Sequence, residues 1–71
     1  MQDALHDTLT SLTGRVIKIK VGTQDYVGEI LDVNNEIVVM RSGRRNPVQI
    51  FMRLDVIDAI LMFEEGKEEW N

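Results

Sequence analysis

The sequence of 71 residues lacks the cross-links that usually stabilise so small a chain. It has no cysteine, so no disulfide can form, and its single histidine leaves it without the ligand cluster of a structural zinc site. No apolar run reaches the roughly 18 residues needed to span a membrane, and the acidic, amphipathic start does not resemble a secretory signal. We therefore expect a soluble, cytoplasmic protein with one small domain.

The small size also limits the hydrophobic core. A chain of this length buries only about 60% of its unfolded surface, so its core alone gives marginal stability. Without disulfides or zinc, association with other chains is the remaining way to bury more surface. The composition thus favours an assembly of several chains.

Groups that carry catalysis are equally scarce. His6 has no nucleophile or acid–base partner at a recognised spacing, and it is typical of a solvated helix residue. No phosphate-binding glycine loop occurs. Four acids lack the pattern of a calcium loop: Asp25, Glu29, Asp32 and Glu36. We expect no enzyme, no metal and no cofactor.

The charge is unevenly distributed. The chain has a net charge of −4, but Leu54–Asn71 carries −5 and the rest carries +1. A strongly basic footprint, which is usual in nucleic-acid binders, is missing. One local exception is Val39–Arg53, which contains four arginines and no acid.

The N-terminal segment has the apolar period of a helix. Three leucines lie at the i, i+4, i+7 spacing of one helix face: Leu5, Leu9 and Leu12. This predicts a helix over about 3–13, with Asp3 as N-cap and Gly14 as its stop.

The period then changes to the alternation of strands. We predict five strands, at about 15–21, 26–33, 36–41, 47–53 and 56–63. Gly28 inside the second strand indicates a bend or a close approach of two backbones, and Asn34-Asn35 predicts a tight turn. The apolar spacing after Arg53 also suits a helix. The fold class is therefore mainly β, an N-terminal helix followed by a five-stranded, strongly bent antiparallel small barrel.

The residues after the domain, 64–71, form a predicted acidic C-terminal tail. Its Trp70 suggests docking on a neighbour. Tyr26 and Phe51 alternate within strands and are expected in the core.

Two stretches resemble the motifs of the Sm-like superfamily, of the LSm and Hfq type. Tyr26–Val33 is similar to the first motif, with an aromatic, a glycine two residues later and spaced apolar residues. Met52–Ile60 is similar to the second, with Arg53 at the arginine position and Leu54 in place of the glycine. The resemblance covers about residues 5–63 and is closest to very short bacterial or phage Sm-like proteins of unknown function.

The resemblance implies a homo-oligomeric ring of five to seven subunits, in which the fourth strand of one subunit pairs with the fifth of the next. It also implies an RNA site at the pore, at the positions of Asn34, Asn35 and Arg53. For Arg53 an ion pair with Asp55 or Asp58 is the alternative.

The remaining arginines, Arg41, Arg44 and Arg45, flank or form the loop between the third and fourth strands. In a ring they would repeat as a basic circle suited to phosphate contacts. Alternatively they keep an exposed loop solvated, or pair with the acidic tail of an adjacent subunit. We expect a non-catalytic ring that binds RNA or another polyanion at low specificity; the alternative is a structural or protein-interaction module with the same barrel.

Overall fold

The computed structural model describes residues 2–63. The predicted acidic tail at 64–71, with Trp70, lies outside the described residues. The helix α1 (Gln2–Ser11) opens the chain, so that Asp3 lies inside its first turn rather than at its N-cap. The helix ends at Ser11, and Gly14, the predicted stop, follows three residues later in a left-handed conformation with a φ of 88°. Among the described residues no helix is long and apolar enough to cross a membrane.

Five antiparallel strands follow, and they confirm the mainly β fold class. They are β1 (Val16–Val21), β2 (Gln24–Val33), β3 (Ile37–Ser42), β4 (Val48–Arg53) and β5 (Ala59–Met62). They form one open sheet in the order β4-β3-β2-β1-β5, in which β4 and β5 are the two edges. The region after Arg53, whose spacing suited helix or strand, contains a short 3-10 helix, η1 (Leu54–Val56), and then β5.

The core lies between the inner face of this sheet, α1 and η1. Alternation along β1 turns Ile17 and Ile19 inward, and α1 packs its leucine face over them. Each fully buried aliphatic side chain contributes roughly 1.5–3 kcal/mol. The cluster consists of Leu9, Leu12, Ile17, Ile19, Ile30, Val38, Met40, Met52 and Leu54.

The glycine inside β2 marks a close approach of two strands, as the sequence predicted. A Cβ built on Gly28 would lie 2.6 Å from the carbonyl oxygen of Arg41 on β3. Two residues further along β2, the register with β3 shifts between Ile30 and Asp32, where a β-bulge adds one residue. The close approach of β2 and β3 therefore lies next to the end of β3, beside this irregularity.

The fourth strand presents different side chains to its two faces. Ile50 and Met52 pair with Met40 and Val38 on the inner face. Phe51 points to the outer face and is 65% exposed, so its expected place in the core is wrong. Tyr26 is partly buried and packs against the core.

Candidate functional site

The six candidate binding residues form two groups, one at each end of β3. Because β3 spans six residues, the two ends lie about 17 Å apart. The turn cluster comprises Asn34, Asn35, Glu36, Arg53 and Asp55. The arginine tip comprises Arg41, Arg44 and Arg45.

The turn cluster is assembled by pairing between β3 and β4. Arg53 pairs with Ile37 in the sheet register. The N–H of Leu54 donates to the carbonyl of Glu36 over 2.9 Å. A cleft of about 100 Å³ results, lined by Asn35, Glu36, Arg53, Leu54 and Asp55. The turn after the second strand and the second motif's arginine are thus neighbours.

Within this cluster, Asn34 stabilises the turn itself. Its Oδ1 accepts hydrogen bonds from the N–H groups of Glu36 and Ile37, each over 2.8 Å. Its own N–H donates to the carbonyl of Ile37 over 2.9 Å. This is the way in which asparagine commonly stabilises a turn. Asn35 is exposed and lines the cleft.

Arg53 forms an ion pair with Asp55, which the sequence analysis gave as the alternative to an RNA contact. Its Nη2 donates to Oδ2 of Asp55 over 2.5 Å, with side chains 73% and 42% exposed. Asp58 instead accepts a hydrogen bond from the N–H of Gly22 over 2.5 Å. With Glu36 and Asp55 against Arg53, the turn cluster has a formal charge of −1. This balance disfavours a polyanion there.

The arginine tip has the opposite charge. Arg41 donates from Nη2 to Oε1 of Glu29 over 2.6 Å. Arg44 and Arg45 are exposed in the loop that follows β3. Counting Glu29, the group has a formal charge of +2. The tip is therefore the positive end of β3.

The base of the tip is anchored to the sheet. The hydroxyl of Ser42 donates to the carbonyl of Val27 over 2.5 Å. Ser42 also pairs with Val48, which closes the hairpin between β3 and β4. The end of β3 that leads into the loop is thus anchored to β2.

The two edge strands expose apolar side chains. Val48 is 57% exposed on β4, and Leu61 and Met62 are 43% and 52% exposed on β5. Beside β4 runs a groove of about 240 Å³, lined by Val21, Tyr26, Ile50, Phe51, Met52, Arg53 and Val56. Each of these strands has a hydrogen-bonded neighbour strand on one side only, among residues 2–63.

His6 lies beside an acidic residue of α1. His6 Nδ1 lies 3.4 Å from Oδ1 of Asp7, an adjacent surface carboxylate of the helix. In the part of the chain that the structure describes, no group of three or more His, Cys, Asp or Glu side chains is placed to hold a metal ion.

The sequence interpretation missed Phe51. Alternation was the available signal, because Ile50 and Met52 cannot face the core unless Phe51 faces away.

Comparisons of the chain with protein-family models, curated proteins and solved structures found no match. The Sm-like resemblance therefore stays a prediction.

Proposed function

We propose that the chain is a non-catalytic, ring-forming protein of the Sm-like type that binds RNA or another polyanion at low specificity. The observation that carries the proposal is the arginine tip, which with Glu29 has a formal charge of +2 in a chain whose net charge is −4. Arginine suits phosphate because its guanidinium presents a fixed fork of donors.

Ring formation is supported by the edges of the sheet. An exposed apolar edge strand is a template for pairing with another chain. Pairing of β4 from one copy with β5 of the next would give the backbone N–H and C=O groups of both edges hydrogen-bond partners. It would also cover the groove beside β4. Such head-to-tail contacts close into a ring when the rotation between copies fits.

Assembly would also strengthen the proposed binding. Each copy contributes one arginine tip, so five to seven tips, as the Sm-like resemblance implies, would contact the same polyanion. Linked weak contacts raise the overall affinity through the effective concentration of the second and later sites. Low specificity follows because phosphate contacts do not read the base sequence.

The arginine tip, rather than the turn cluster, is the proposed phosphate site. At the tip, breaking the exposed pair between Arg41 and Glu29 costs at most about 1 kcal/mol. In the turn cluster, two carboxylates repel phosphate and Asn34 is engaged in the turn.

Fluorescence anisotropy with a labelled RNA, measured over a range of salt concentrations, tests this proposal. We expect binding at micromolar protein and low salt. The double variant Arg44→Ala/Arg45→Ala should lower the salt slope by about 0.7 for each phosphate contact that it removes.

Two control variants sharpen this test. Arg44→Lys/Arg45→Lys keeps the charge and should retain most of the slope. Arg53→Ala removes one charge from the turn cluster and should change little. Absence of binding at low salt would contradict the proposal. A loss of affinity confined to Arg53→Ala would place the phosphate site in the turn cluster instead.

A protein-interaction module is the second candidate. The net charge of −4 and the apolar groove beside β4 favour it. Partners captured by the chain would then survive nuclease treatment. If the C-terminal residues take part, deleting Lys67–Asn71 should release those partners; unchanged capture by the deleted form would count against a role for these residues.

A further inference from the structure

Arg41 lies on a strand, directly opposite an acidic residue of the neighbouring strand. Its Nη2 donates to Oε1 of Glu29 over 2.6 Å, and the two residues pair in the register of β2 and β3. Opposite side chains on one face of a sheet have Cβ atoms about 5 Å apart. The carboxylate of Glu29 is therefore held beside the guanidinium group of Arg41 by the strands themselves.

The backbone around this pair is closely packed. A Cβ built on Gly28, the residue before Glu29, would lie 2.6 Å from the carbonyl oxygen of Arg41. On the other side, Ile30 pairs with Met40, and both of these side chains are fully buried. Because neighbouring residues of a strand point to opposite faces, Glu29 and Arg41 share the outer face. The buried pair beside them holds their register.

The pair of Glu29 and Arg41 stays accessible in the proposed assembly. It lies on β2 and β3, which are inner strands of the sheet, so pairing of β4 with β5 of another copy does not involve their backbones. The side chains of Arg41 and Glu29 are 52% and 27% exposed. A ligand of the arginine tip can therefore reach Arg41, and it meets Glu29 at the same place.

The carboxylate of Glu29 and a phosphate group compete for the same donors. A guanidinium group presents its N–H donors as a planar fork that fits either kind of oxyanion. A phosphate that takes over the Nη2 donor must displace Glu29, whose negative charge then remains close by. Repulsion between the two like charges adds to the cost of breaking the ion pair. A phosphate contact at Arg41 is therefore weaker with Glu29 present than without it.

We propose that Glu29 sets the phosphate affinity of the arginine tip by competing for Arg41. This inference rests on the proposed function and deepens it. In the free protein Glu29 occupies Arg41, and in the complex a phosphate group replaces it. Low affinity at each tip makes binding depend on how many tips one polyanion contacts. Glu29 thereby favours long polyanions over single phosphate groups.

The variant Glu29→Gln tests this role, because it removes the charge and keeps the size of the side chain. Its affinity for the labelled RNA is measured by anisotropy at one fixed, low salt concentration. We expect it to bind at least about twofold more tightly, and about two- to fivefold for each tip contacted, since exposed ion pairs hold their partners by a factor of this size. Glu29→Asp restores a carboxylate and should bind nearly as the wild type does.

Two comparisons separate competition for Arg41 from a general effect of charge. Asp32→Asn removes an exposed charge further along β2 and should leave the affinity nearly unchanged. In the Arg41→Ala background, Glu29→Gln should gain much less than in the wild type, because the donor for which it competes is gone. An equal gain in both backgrounds, or an equal gain from Asp32→Asn, would overturn the proposal.

The remaining outcomes distinguish this inference from the proposed function. If the wild type binds RNA and Glu29→Gln binds it equally or more weakly, the role of Glu29 is overturned and the proposed function stands. If the wild type does not bind RNA at low salt, the proposed function fails, and this inference fails with it. Circular dichroism of each variant checks that the fold is kept.

Discussion

The close approach of β2 and β3 at Gly28 leads to a stability prediction. In Gly28→Ala, the new Cβ would lie 2.6 Å from the carbonyl oxygen of Arg41 and 3.1 Å from its carbonyl carbon. Ordinary contact starts at 3.4 Å, so the two strands must move apart by about 0.8 Å. The obstructing atoms belong to the backbone of a paired strand, so no side-chain rotation can relieve the contact.

Two opposing free-energy terms set the size of the effect. Overpacking of this kind costs about 1–3 kcal/mol. Alanine restricts the unfolded chain more than glycine does and recovers about 0.5–1 kcal/mol. We therefore expect the free energy of unfolding to fall by about 1–2 kcal/mol. In a domain of this size the midpoint of thermal unfolding should fall by about 5–15 °C.

Circular dichroism during heating, at one fixed protein concentration, measures this midpoint. Gln24→Ala, an exposed position on the same strand, serves as the control and should leave the midpoint nearly unchanged. An equal or higher midpoint for Gly28→Ala would refute the reasoning, because β2 and β3 would then have room for a side chain.

Three further predictions concern the turns and the ion pair near the sheet ends. Asn34→Ala should lower the free energy of unfolding in urea by about 1 kcal/mol, because two backbone N–H groups lose their acceptor; Asn35→Ala should not, and equal effects would contradict the role of Asn34. Asp58→Ala should also cost about 1 kcal/mol in urea unfolding, through the hydrogen bond that it accepts from the β1–β2 turn, and an unchanged value would remove that role. Arg53→Gln should lower the same free energy by less than about 1 kcal/mol, since its pair with Asp55 is exposed; a larger loss would show that the pair is a structural requirement.

Much of the fold follows from local patterns in the sequence. The leucine spacing in α1, the alternation in β1 and the glycine in β2 each predicted an element or contact that the structure contains. These signals are strong because they depend on which face of one element is buried, and that is a short-range property. The region after Arg53 was harder to predict, because its apolar residues suit a helix as well as a strand. The pairing of β5 with β1 makes it a strand, and this long-range contact is not visible in the local pattern.

The candidate site was less predictable for physical reasons. The Sm-like resemblance implied that Asn34 and Arg53 lie together, but it did not show that Asn34 stabilises the turn or that Arg53 pairs with Asp55. Such interactions depend on the orientation of individual side chains, which residue spacing does not fix. Phe51 was wrongly predicted to be in the core because an aromatic residue in a strand is usually buried. Its two neighbours face the core instead, so the ring of Phe51 lies on the outer face.

In the proposed ring, the open edges β4 and β5 are completed by further copies of the chain. Light scattering of the purified chain at micromolar concentration measures this directly through the mass. We expect a mass five to seven times the 8.2 kDa of a single chain. A folded particle of 8.2 kDa that stays monomeric over the same concentrations would contradict it.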